Sequence, residues 1–101
     1  MDNSQPHNYI LTARSDSGMQ NSRIAREQSS NRARRGMLAM GLDFESYPLA
    51  DTRIHHPTAC NYHAVTDILF RSEATETELQ EALCNQGIKS VSLRRIDQAQ
   101  S

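Results

Sequence analysis

Within its 101 residues the chain switches back and forth between two hydrophobic periods, and the order of those switches constrains the fold more than any other feature. Tyr9-Ile10-Leu11-Thr12-Ala13 is a short, partly β-branched run with Tyr9, Leu11 and Ala13 on one side and Ile10 and Thr12 on the other, which is strand periodicity. Ser15-Asp16-Ser17-Gly18 ends it with turn chemistry. From Ser22 to Met40 the spacing becomes helical. Ala33, Met37, Leu38 and Gly41 form an apolar stripe that Ser30 extends, Arg26, Arg32, Arg34 and Arg35 take the wet side, and Gly41 serves as a stop. Leu42 to Leu49 alternates again, Leu42 and Phe44 against Asp43 and Glu45, and predicts a second strand that Pro48 marks as an edge or an end.

Ala50 to His63 has no periodicity and is expected to be a long loop or a broad hairpin tip. Ala64 to Arg71 predicts a third strand, with Ile68, Leu69 and Phe70 as its most buried part. The clearest local signal follows. Thr75-x-x-Glu78 is a capping box, in which the Thr hydroxyl accepts from the backbone three residues on and the Glu carboxylate reaches back to the cap. Leu79, Ala82 and Leu83 then make a helical stripe that Gly87 closes. In Ile88 to Ile96, Val91 and Leu93 alternate against Ser90, Ser92 and Arg94, a fourth strand.

The predicted order is β-α-β-β-α-β, the split arrangement of a ferredoxin-like α+β fold, with a four-stranded antiparallel sheet and two helices on one face. The other face is then free, and what it carries decides the function. A smaller αβ domain with the first strand as an isolated arm also fits the pattern. Residues 1–7 and 97–101 are expected to be disordered tails around a single domain spanning 8–96.

Ile10-Leu11-Thr12-Ala13, a Ser-containing polar loop, then Asn31-Arg32 in a helix ending Leu38-Ala39-Met40-Gly41-Leu42 resembles a family of small bacterial and phage proteins of unknown function. The resemblance covers residues 9–45. It carries no catalytic residue with it, and it implies a prokaryotic or phage origin, where small accessory proteins often act by binding and blocking a larger host machine.

Composition excludes more than it assigns. A chain of this length closes one modest core and is too short for a TIM barrel or a full dinucleotide-binding domain. Hydrophobic residues make up 37%, Trp is absent and mean hydropathy is -0.70, so the core must be lean. No apolar run approaches a membrane span, and two cysteines are too few for a disulfide scaffold, so a cytoplasmic protein (of the host, if phage-encoded) is expected. Nucleophile-elbow, phosphate-loop, dinucleotide and zinc-protease motifs are all missing, so neither a cofactor nor enzymatic activity is expected. Cys60 and His63 lie too close in sequence for a good nucleophile–base pair, and Cys84 is expected to be half-buried on the second helix. His55, Cys60 and His63 have donor types suited to Zn²⁺, although their spacing matches no recurrent zinc motif; the same loop could respond to pH, or be a plain polar loop.

Charge is segregated. Arg14 to Arg35 holds six arginines against Asp16 and Glu27, a surplus of four positive charges, whereas Asp43 to Glu81 holds eight acids against Arg53 and Arg71, a surplus of six negative charges. The net charge of -1 conceals both. Such a pattern suits a docking surface, since arginine is favoured at binding hot spots and charge complementarity orients encounter, and it equally suits two solvated helix faces. The expected function is that of a small non-enzymatic binding protein, an inhibitor or regulator of a host or defence protein complex. Its expected contact residues are Arg26, Arg32, Arg34, Arg35, Arg53, His55 and His56. Nucleic-acid binding through the same arginines is the alternative, a homodimer is possible through a free sheet edge or face, and no membrane partner is expected.

Overall fold

The computed structural model describes residues 6–43, 50–58 and 61–96. They form β1 (His7–Arg14), α1 (Ser22–Ala39), β2 (Ala50–Thr58), β3 (Asn61–Ser72), α2 (Glu76–Asn85) and β4 (Val91–Arg95). The strands make one four-stranded sheet in the order β2-β3-β1-β4, with every neighbouring pair antiparallel. The fold is therefore α+β, with β1 and β3 central and β2 and β4 at the rims.

Strand parity sets the core. Register places Tyr9 opposite Phe70, and Leu11 opposite both Ile68 and Leu93. These residues pack with Ala33 and Met37 of α1 and Leu79 and Leu83 of α2 in a single buried cluster, so both helices cover the same face of the sheet. Full burial of a side chain such as Leu11 or Ile68 contributes about 1.5–3 kcal/mol. Gly36 lets α1 lie close on the sheet: a Cβ at that position would lie 3.0 Å from Leu11 Cδ2 of β1. Tyr9 stacks on Phe70 with ring centroids 5.4 Å apart, and its hydroxyl donates to the Ala74 carbonyl at 2.6 Å, tying the start of α2 to the core.

Polar groups under the helices are satisfied locally. Ser29 on α1 is fully buried, and its Oγ lies 2.8 Å from Thr66 Oγ1, which lies 2.9 Å from Thr52 Oγ1. Asn21 caps α1 by accepting from the backbone of Arg23 and Ile24. The capping box of α2 forms in both directions, with Glu78 N donating to Thr75 Oγ1 at 3.1 Å and Thr75 N donating to Glu78 Oε1 at 2.9 Å.

Several expectations are corrected. The second strand is not at Leu42–Leu49: Leu42 and Asp43 are not strand, and residues 44–49 lie outside the described residues. It is β2, in the stretch expected to be a loop, and it forms a hairpin with β3 in register from Ala50 opposite Ile68 to His55 opposite His63. The apolar alternation is weak there because the helix-side position of Thr52 is filled by a hydroxyl that bonds to Thr66. Pro57 is tolerated because β2 is a rim strand. Leu38 and Leu69, both expected in the core, are 61% and 48% exposed, and Cys84 is exposed, not half-buried. His7, placed in the expected N-terminal tail, already belongs to β1.

Candidate functional site: the open face of the sheet

The face without helices is built by the opposite parity. Asn8, Ile10, Thr12 and Arg14 of β1 share it with Val65, Asp67, Leu69 and Arg71 of β3, Arg53 of β2, and Ser92 and Arg94 of β4. Register arranges them in rows across the strands. Arg53, Val65 and Arg14 form one; Asp51, Asp67, Thr12 and Ser92 the next; Leu69, Ile10 and Arg94 a third. A groove of about 500 Å³ runs over these rows, lined by Ile10, Thr12, Arg14, Arg53, Val65, Asp67, Ser92 and Arg94.

Asp67 is the hub. Its Oδ1 accepts from Thr12 Oγ1 at 2.7 Å and its Oδ2 from Arg53 Nη2 at 2.6 Å. Its side chain is only 16% exposed, against 49% for Arg53. Arg14 and Arg94 are exposed, and their guanidiniums have no carboxylate partner among the described residues. Among the described side chains the groove sets three guanidiniums against one carboxylate, Asp67, with Asp51 of β2 opposite Asp67 in register. Chemically it can hold carboxylate or phosphate groups, which guanidinium forks engage through paired hydrogen bonds, while Thr12 and Ser92 add hydroxyls.

Of the arginines singled out in the sequence, Arg53 alone lines this groove. Arg32 is engaged within the chain: Nη1 donates to the Arg14 carbonyl at 2.8 Å and Nη2 to Asp16 Oδ1 at 3.1 Å. Gln28 bonds both the backbone and the carboxylate of Asp16, so this knot fixes the β1–α1 loop and does not present Arg32 for docking. Arg26, Arg34 and Arg35 are exposed, but on different sides of α1. At 3.6 residues per turn Arg34 lies about 80° and Arg35 about 180° around the axis from Arg26, so the arginines do not share one helix face. Arg26 borders Thr52 of β2, and Arg35 borders Gly87 to Lys89.

His55 and His56 lie in β2, His55 opposite His63 in register, but their side chains and Cys60 lie outside the described residues, as does the metal set they would form with His63. Among the described residues no group of three or more His, Cys, Asp or Glu is placed to hold a metal ion. Tyr9, Tyr62 and Phe70 all occupy helix-side positions of their strands, so none of them offers a ring to the groove.

Arg14, Thr12, Asp67 and Arg94 were missed by summing charge along the chain. Parity was the available signal: Arg14 falls in step with Ile10 and Thr12, and Arg94 with Ser92, each out of step with the apolar positions that face the helices. Among the described residues no helix is long and apolar enough to cross a membrane. No family model, curated protein or solved structure matches the chain.

Proposed function

We propose that the chain is a non-enzymatic binding protein on a ferredoxin-like scaffold, that it regulates or inhibits a larger protein complex, and that the open sheet face is its contact surface. The strand–helix–strand–strand–helix–strand order with β1 and β3 in the middle of the sheet supports the scaffold. The observation that carries the binding role is the pair Arg14 and Arg94, whose guanidiniums have no carboxylate partner among the described residues, beside the Asp67–Arg53 hub in one groove. A surface whose described side chains include more guanidiniums than carboxylates is suited to an acidic partner. A phage or mobile-element origin rests on the resemblance of residues 9–45 to small bacterial and phage proteins.

Nucleic acid is the second reading, and the same guanidiniums support it through phosphate contacts. It is the weaker of the two because sheet faces that read single strands stack bases on aromatic rings, and Tyr9 and Phe70 are buried on the helix side. The test is capture from nuclease-treated bacterial lysate by three forms of the chain: wild type, an Arg14→Glu/Arg94→Glu pair, and an Arg34→Glu/Arg35→Glu pair. The expected result is a protein partner held by the wild type and by the α1 pair and lost by the groove pair. Loss in the α1 pair alone would return the contact surface to the helix, and capture that nuclease removes would favour nucleic acid.

A further inference from the structure

The open face is uneven along its strands. One half holds Arg14 and Arg53; the other holds the register pair Ile10 and Arg94 and, beside them, Leu69 and Ile96 around a second hollow of about 400 Å³ bordered by Asn8 and Arg71. Leu69 and Ile96 are 48% and 37% exposed, two of the four large hydrophobics that the described residues leave in solvent. Leu69 lies four steps along β3 from Val65, which stands opposite both Arg14 and Arg53, so Leu69 and the Arg14–Arg53 end lie about 13 Å apart.

A segment resting on this face meets side chains only, because the backbone groups of a sheet point along its plane. The rims offer little compensation. Hydrogen bonds from Ile96 N to Asn8 O and from Arg14 N to Ser90 O set the bonding parity of the β1–β4 pair, which turns the Leu93 carbonyl outward, and Gln80 Nε2 on α2 donates to that carbonyl at 3.0 Å. On the opposite rim Pro57 has no N–H to give. A bound segment must therefore satisfy its own amides, as a helix does and an extended chain does not.

Resting on the binding role above, we propose that the occupant is an amphipathic acidic helix of a partner protein. A large apolar residue of that helix seats in the Leu69–Ile96 hollow, beside the Ile10–Arg94 pair, and an Asp or Glu two turns away meets Arg14. Seven or eight helical residues span about 10–12 Å, and the length of the arginine side chains covers the rest. Among the described residues, neither helix of this chain matches that pattern. This chain's own acidic helix, α2, carries exposed Glu78 and Glu81 but none of the exposed large hydrophobics, and the exposed Ile24 and Leu38 of α1 stand among arginines.

The experiment is fluorescence anisotropy on the full chain with labelled probes: a helical peptide with Leu and Glu seven residues apart on one face, a peptide of the same composition with Leu and Glu on opposite faces, polyglutamate, and a short single-stranded DNA. The first peptide is expected to bind about tenfold more tightly than its permuted partner, and to lose about tenfold on Leu69→Ala and more on Arg14→Glu/Arg94→Glu. Circular dichroism of each variant confirms that it is folded. Equal binding of the two peptides, no binding of either, or indifference to Leu69→Ala overturns this inference. In each of those cases polyglutamate binding that Arg14→Glu/Arg94→Glu abolishes keeps the broader role intact. DNA held more tightly than every peptide overturns both. Self-association of the chain that the same pair abolishes would give the face to a second copy and overturn the foreign helix.

Discussion

Asp67→Asn separates the two roles of the carboxylate at the hub of the groove, since it should weaken the fold while strengthening the site. In the native chain Asp67 Oδ2 takes a charge-assisted bond from Arg53 at 2.6 Å, and Oδ1 takes a bond from Thr12 at 2.7 Å. An asparagine carbonyl can keep the Thr12 bond, but its NH₂ then faces a guanidinium and cannot accept. The lost pair is half in water on the arginine side, 49% exposed, so screening limits the cost to about 0.5–1 kcal/mol. In a domain of this size that lowers Tm by about 2–8 °C.

Binding should move the other way. Removing one negative charge about 8 Å from a docked carboxylate, at an effective dielectric of about 40, is worth about 1 kcal/mol, and a Debye length of about 8 Å at physiological salt roughly halves it. Polyglutamate should therefore bind about fivefold more tightly at low salt and about twofold at physiological salt. Calorimetric melting and anisotropy titrations at two salt concentrations read both effects on one protein sample. A folded Asp67→Asn chain that binds polyglutamate no better than wild type at low salt would refute the account of the groove, because its charge balance would then not govern what it holds.

Three further predictions concern the scaffold, each read from urea denaturation midpoints. Thr66→Val keeps the shape of a fully buried side chain but breaks the Ser29–Thr66–Thr52 chain of hydroxyls, and should cost about 1–2 kcal/mol, with Ser29 retaining its bond to the Arg26 carbonyl. Thr75→Ala removes one half of the α2 capping box and should cost about 1 kcal/mol; an unchanged midpoint would mean that the cap contributes nothing. Ser90 sits at φ 64°, where a Cβ is unfavourable, so Ser90→Gly should stabilise by about 0.5–1 kcal/mol, and a loss of stability would contradict the strain.

What could be read from the sequence followed how strongly each segment depended on itself. The α2 start was legible because a capping box is a contact between residues three apart, and β1 because Tyr9, Leu11 and Ala13 all face a packed side. β2 was not, since its helix-side Thr52 is satisfied by Thr66, a partner fourteen residues away that no local pattern reveals. Leu38 and Leu69 misled for the opposite reason: each is apolar beside a core position yet lies on the solvent side of its element. The site shared the fate of β2. Arg14, Asp67 and Arg94 come from three strands, and only the register that aligns Thr12 with Asp67 and Ile10 with Arg94 makes them neighbours. The arginine-rich stretch of α1, conspicuous as a string of letters, is dispersed around the helix by its geometry, and its best-anchored member, Arg32, is consumed in fastening a loop.

The amide that Gln80 lends to Leu93 has a bearing on how copies of the chain behave in a crowded solution. Sheets commonly grow by accretion, one rim laying itself along another, and a bare strand invites that growth. Here a newcomer approaching β4 must first strip away a hydrogen bond that α2 already supplies, and one approaching β2 meets a proline. Each border thus sets a local obstacle to ribbon formation, which turns encounters toward the broad side of the sheet.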